Sequence, residues 1–141
     1  MKHYFLLSDK QLSLVLENVP GSLAQVCSLL ANSGVNIQAL SIVDMVDTGE
    51  LRLVVDNWKR AKALLEEAGH DVLESEVILV EMRNTPGALA DIARRLAVAN
   101  VNIEYFYAHY SAPLAGGADR GRVLGVMKVS DTARALEVLE V

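Results

Sequence analysis

The chain repeats itself. Asn18-Val19-Pro20-Gly21-Ser22-Leu23-Ala24 returns as Asn84-Thr85-Pro86-Gly87-Ala88-Leu89-Ala90, and Val35-Asn36-Ile37 returns as Val101-Asn102-Ile103. Asn18 to Asn84 and Val35 to Val101 are the same step of 66 residues. Two separated motifs on one step predict two copies of one small domain. Solenoid repeats are shorter, about 20–50 residues. In a chain of 141 residues, each copy lies near the lower size limit for a self-sufficient core. The copies are therefore expected to share a sheet or a face, or to bury surface in an oligomer.

Within copy one, Leu12, Leu14 and Leu16 alternate with Ser13 and Val15, the pattern of a half-buried strand. Pro20 ends that strand and suits the first position of a helix, where its missing N–H costs nothing. Leu23, Val26, Cys27 and Leu30 form one apolar helix stripe, and Leu89, Ile92, Ala93 and Leu96 repeat it in copy two. Gly34 and Asn100 close the two helices, both residues that accept a left-handed backbone. An extended stretch over 36–46 follows, with a hairpin turn at Asp47-Thr48-Gly49-Glu50 and a returning strand over 51–55. Trp58, Ala61, Leu64, Leu65 and Ala68 mark a second helix closed by Gly69. A last strand over 72–76 runs almost unbroken into 77–82, the first strand of copy two.

Each copy thus reads strand–helix–strand–strand–helix–strand. The predicted fold class is α+β: two ferredoxin-like βαββαβ modules in tandem, antiparallel sheets with helices on one face. Residues 1–76 form the first module, with an extra N-terminal strand, and 77–141 the second. Copy two carries a hairpin loop over 111–122 that is longer by eight residues, since Ala61 answers to Ala135 at a step of 74. Its fourth strand would fall beyond Val141. The apolar segment 3–7 (His-Tyr-Phe-Leu-Leu) matches nothing in the repeat. It is expected to add to the open edge of the copy-two sheet, in its own chain or across a dimer.

Composition removes several function classes. The net charge is −5 with no Lys/Arg cluster, which argues against a nucleic-acid surface. No apolar run reaches the 18 or so residues of a membrane span. The N-terminal residues lack a signal-peptide pattern, so a cytoplasmic location is expected. The single Cys27 lies in the helix stripe and reads as a small core residue. His3, His70 and His109 are not at metal-ligand spacing, so neither a metal nor a cofactor is expected. No pair of motifs supplies a nucleophile with a base, so the chain does not read as an enzyme. Hydrophobic residues make up 52% and mean hydropathy is +0.26, which with open strand edges points to a homodimer.

Asn-x-Pro-Gly-x-Leu-Ala opening an amphipathic helix, followed by Val-Asn-Ile opening a strand, resembles the ACT domain, twice over. The resemblance covers essentially the whole chain, and the similar proteins are stand-alone tandem ACT proteins. It implies a module that binds amino acids and regulates enzymes of amino-acid metabolism, with the ligand where the first loop of one module meets a neighbouring module. The positions it implies in copy one are Asn18, Val19, Gly21, Ser22, Leu23, Asn36 and Ile37. In copy two they are Asn84, Thr85, Gly87, Ala88, Leu89, Asn102 and Ile103. Many members carry aspartate at the place of Asn18 and Asn84. Free N–H groups at a helix start suit a carboxylate, and Gly21 and Gly87 leave room for close approach.

Each feature also has a plainer reading. Pro-Gly serves as a bare helix start. Thr85 is a normal N-cap and Val19 is not, unless Asn18 caps instead. Asn36 and Asn102 fit turn asparagines as well as ligand contacts. Tyr105, Phe106, Tyr107 and Tyr110 fit core and interface packing, or the wall of a ligand site. The glycines of 116–121 fit a flexible hairpin tip or a lid. Glu66, Glu67, Glu74 and Glu76 read as solvated surface. The expected function is a small-molecule (amino-acid) sensor acting by ligand-linked docking of modules or subunits, with a regulated enzyme as partner. The alternative is a ligand-free structural regulatory subunit of such an enzyme.

Overall fold

The computed structural model describes residues 4–110 and 121–140. The chain runs β1 (Tyr4–Glu17), α1 (Ser22–Asn32), β2 (Ile37–Asp44), β3 (Thr48–Val55), α2 (Trp58–Glu67), β4 (Leu73–Arg83), α3 (Ala88–Val98), β5 (Ile103–Tyr110), β6 (Arg122–Val129) and α4 (Thr132–Leu139). It is the ferredoxin-like α+β pattern, made twice. The described residues form two compact units: Lys10–Ser75, and residues 4–9 with 76–140. The long strands β1 and β4 give one part to each unit.

In the copy-one unit β2 and β1 flank β3, both antiparallel to it. Leu12, Leu14 and Leu16 share a face with Leu51, Leu53 and Val55, because alternate residues of a strand point the same way. Onto that face pack Val26 and Leu30 of α1 and Ala61 and Leu65 of α2. Both helices therefore cover one face.

In the copy-two unit the order is β1-β4-β6-β5, and the core repeats the plan. Ile78, Val80 and Met82 of β4 and Met127 and Val129 of β6 carry Ile92, Leu96, Ala135 and Leu139 of the helices. Tyr4 completes this core from β1. Even the irregularities recur: the β2–β3 ladder shifts register between Ile37 and Ala39, and β5–β6 between Ile103 and Tyr105.

One core exchange is not a copy. Gly125 stands at the place of Leu51 and Phe106 at the place of Leu40, by the steps of 74 and 66 residues. The Phe106 ring occupies the space beside Gly125, so that a Cβ on Gly125 would collide with it.

Several local expectations need correction. Pro20 and Pro86 do not open the helices. Gly21 and Gly87 are the N-cap residues, left-handed at φ 93° and 88°, and the prolines sit in the turn before them. Thr85 is not the cap, and neither helix start has a side-chain cap. Asn18 does not cap either. Its Nδ2 donates to Asp44 Oδ1 (3.1 Å) and Val46 O (2.8 Å), and Val46 N donates to Asp44 Oδ1 (2.8 Å). These bonds hold Val46 at φ 75°, an unusual angle for a β-branched residue. The hairpin turn thus falls between Asp44 and Thr48, and Gly49 is a strand residue opposite Asp44 and Leu16. The segment from Tyr4 joins the copy-two unit as expected, within its own chain, but as the start of β1 and not as an added piece. Residues 72–76 and 77–82 likewise merge into β4. Cys27 is only half-buried. The helix ends hold as expected, with Gly34 at φ 75° and Asn100 at φ 59°. The glycine tip within 111–120, and His3, lie outside the described residues.

Candidate functional site

The two Pro-Gly loops have one backbone. In copy one Asn18 N bonds Asp47 O, Val19 N bonds Glu17 O, Ser22 N bonds Val19 O and Gln25 N bonds Gly21 O. In copy two Asn84 N bonds Gly121 O, Thr85 N bonds Arg83 O, Ala88 N bonds Thr85 O and Asp91 N bonds Gly87 O. Both glycines are required by their positive φ rather than by crowding, since a Cβ on either would meet nothing within 4 Å. Each loop leaves a helix start whose first N–H groups have no intrahelical acceptor.

Beside each loop lies a cavity, and the walls correspond. In copy two Met82, Arg83, Ala88 and Asp91 line a cavity of about 320 Å³ together with Tyr4, Thr85, Pro86 and Gly87. In copy one Leu16, Glu17, Ser22 and Gln25, each 66 residues earlier, line a cavity of about 360 Å³ with Val15 and His70. Thr85, Gly87 and Ala88 of the expected residues thus meet at one site, and Ser22 lies at the other.

The chemistry of the walls differs. Arg83 is exposed and has no ion pair among the described residues. It lines the same cavity as the positive end of α3. Asp91 is already engaged, accepting from Arg94 Nη2 (2.8 Å) and Arg95 Nε (3.1 Å). Copy one has Glu17 where copy two has Arg83, so the charge is inverted. Tyr4 is 6% exposed, and its hydroxyl donates to Leu139 O at 2.7 Å. Burial raises its phenol pKa above the ordinary 10.0; the Arg95 guanidinium opposes that and the Asp91 carboxylate adds to it.

The other expected positions lie elsewhere. Glu17 pairs with Thr48 at one end of β3, and Ile37 pairs with Val55 at the other. That is roughly 23 Å of strand at about 3.3 Å per residue. Asn36 and Ile37 are therefore at the far end from the copy-one cavity. The same holds for Asn102 and Ile103, since β6 pairs Arg122 with Arg83 and Val129 with Ile103. Asn36 N donates to Asp56 Oδ1 (3.1 Å) and Asn102 N to Ser130 Oγ (3.0 Å), bonds that close the strand ends. Ile37 and Ile103 pack on their cores, as do Leu23 and Ala88. Val19 and Leu89 are exposed. Asn84 lies next to Arg83 in the loop, and Asn18 serves the hairpin.

Tyr105 and Tyr107 stack with ring centroids 6.4 Å apart, and Phe106 joins the core. None of the three lines the copy-two cavity. The aromatic wall there is Tyr4, which the sequence pattern did not single out. Arg83 and Asp91 were also missed. Extending the 66-residue step one residue before Asn18 and Asn84 would have exposed the Glu17/Arg83 inversion. Among the described residues no His, Cys, Asp or Glu group could hold a metal, and no helix is long and apolar enough to cross a membrane.

A family model described as an ACT domain pair matches residues 7–140. A solved protein from Bacteroides thetaiotaomicron is 32% identical over 96% of this chain and 88% of its own, with a TM-score of 0.84. The regulatory subunit of aspartate kinase from Thermus thermophilus, in its ligand-free form, is 18% identical over 99% and 97%, with a TM-score of 0.68. The corresponding subunit from Thermus flavus is 18% identical over 99% and 95%, with a TM-score of 0.68. At that identity the Thermus proteins share the fold. No curated protein matches the chain in sequence.

Proposed function

Because the chain belongs to the ACT domain family, as an ACT domain pair over residues 7–140, we propose that it is a non-catalytic regulatory protein that binds a small amino acid at the copy-two loop. The carrying observation is the cavity at Thr85–Ala88, which Arg83, without an ion pair among the described residues, lines together with the uncapped start of α3. An α-carboxylate would lie between the guanidinium and the helix N–H groups, a charge-assisted arrangement. A cavity of about 320 Å³ sits at the small end of ligand sites, the size for a single amino acid. Bound ligand acts by linkage, favouring whichever docked state it prefers.

The Thermus proteins, which share this fold, are by their description regulatory subunits of an enzyme. That supports a regulated enzyme as partner here. The edge strand β2, with Ile42 and Val43 open to solvent, and the turn after it, with Met45 and Val46 exposed, support a homodimer. A cytoplasmic location fits the same reading. For copy one a structural, ligand-free role is favoured by a specific observation: Glu17 would repel a carboxylate at the place where Arg83 attracts one.

A thermal-shift screen of the twenty amino acids on the full chain tests the proposal, because a ligand bound only by the folded state must raise Tm. At least one amino acid should raise it, and Arg83→Glu should remove that shift without lowering the unliganded Tm. No shift with any amino acid, or a shift that survives Arg83→Glu, contradicts it.

A further inference from the structure

Resting on the amino-acid reading of the copy-two cavity, we infer that this cavity selects an amino acid with an apolar side chain, with Tyr4 as its specificity-determining wall. The cavity has two kinds of lining. Arg83, Thr85, Asp91 and the start of α3 supply its polar groups. Met82, Pro86 and Tyr4 supply its apolar surface. The one side-chain donor of that apolar lining is already committed, because the Tyr4 hydroxyl donates to Leu139 O.

A side chain lodged against this wall finds no free side-chain donor there, and as side-chain acceptors only the buried Tyr4 oxygen and the weakly accepting Met82 sulfur. A carboxylate or amide oxygen placed on it would lose hydration without a donor, and an ammonium would exchange its water shell for little more than one phenol oxygen. The one carboxylate nearby, Asp91, is held by Arg94 and Arg95, so a cationic ligand side chain would have to displace them. An aliphatic side chain pays none of these penalties and gains from burial. Tyr4 is fixed rather than adaptable, since its ring is part of the copy-two core with Met82, Ile92 and Leu139. The corresponding cavity of copy one has His70 on its wall, a ring with two polar nitrogens.

Calorimetric titration of the full chain with L-alanine, L-valine, L-leucine, L-lysine and L-aspartate tests this. Each buried methylene should tighten binding about fourfold, from about 0.8 kcal/mol, so L-leucine should bind about 60-fold more tightly than L-alanine. Tyr4→Ala should weaken L-leucine at least about tenfold while changing L-alanine little, and Tyr4→Phe should keep the order of affinities. If L-lysine or L-aspartate binds more tightly than L-leucine, the apolar assignment is wrong and the amino-acid reading stands. Equal loss of L-leucine and L-alanine in Tyr4→Ala overturns Tyr4 as the wall. Binding of none of the five overturns the apolar assignment, and the twenty-amino-acid screen then decides the broader reading separately. The wild-type order of affinities needs no variant, so a Tyr4→Ala protein that fails to fold leaves the test intact.

Discussion

Gly21 and Gly87 sit at φ 93° and 88° at the heads of two helices with the same loop hydrogen bonds, yet Glu17 ends the strand before one loop where Arg83 ends the strand before the other. The repeated part is backbone. Its bonds join N–H to C=O and depend on side chains only through the two glycines. The walls carry no such constraint, so their charges are free to diverge. One loop can become a carboxylate site while the other stays scaffold, with no change of fold.

The cores make the same contrast, and the largest expected effect lies there. Copy two exchanges the Leu51 and Leu40 of copy one for Gly125 and Phe106. Gly125→Leu drives a side chain into the Phe106 ring, with which even a bare Cβ would collide, and should cost about 3 kcal/mol in chemical denaturation. Adding Phe106→Leu should recover at least half of that loss, because the pair then matches copy one. A double variant no more stable than the single one would break the equivalence of the two cores.

The loops give a smaller effect that should be equal in both copies. Gly21→Ala and Gly87→Ala each place a Cβ in open space but force a left-handed backbone, at about 1–2 kcal/mol. The two losses should agree within about 0.5 kcal/mol. A clearly larger loss at Gly87 would show that the loops differ in backbone as well as in walls.

What the sequence made legible was whatever rests on period and repetition. The buried Val26 and Leu30 of α1 and Ile92 and Leu96 of α3, the left-handed Gly34 and Asn100, and the strand–helix order follow from spacing alone, while Leu89 of the expected stripe is exposed. The Pro-Gly turn was misread because proline suits a helix start and a turn equally, and the positive φ of the glycine decides between them. The hairpin was misplaced because Thr48-Gly49 looks like a turn. The real turn depends on Asn18, 28 residues away from Val46. Tyr4 was invisible as a wall because it reaches Met82 only through tertiary pairing. The sequence also offered Asn36 and Asn102 beside the loop residues, and only strand register shows that they lie at the other end of their sheets.

The smallest expected effect concerns Tyr4, which has no counterpart in copy one. Its raised phenol pKa means that the fold holds the phenol proton more tightly than the unfolded chain does. The stability this gives is fully present below the unfolded value near 10 and is lost as pH rises through the higher folded value. Thermal unfolding should therefore show wild type losing more stability between pH 9 and 11 than Tyr4→Phe does. At pH 7 the same variant should cost about 1 kcal/mol for the lost bond to Leu139 O. Identical pH profiles for the two proteins would mean that Tyr4 ionises without leaving its place.

The asymmetry of the two loops is tested most directly by amide NMR of the uniformly labelled full chain, titrated with the amino acid that gives the largest thermal shift. The amides of Gly87, Leu89 and Ala90 should move in a saturable way, while those of Gly21, Leu23 and Ala24 stay in place. Movement of the copy-one amides alone, or of both sets with equal affinity, would contradict an account in which Arg83 and Glu17 divide one repeated loop into a site and a scaffold.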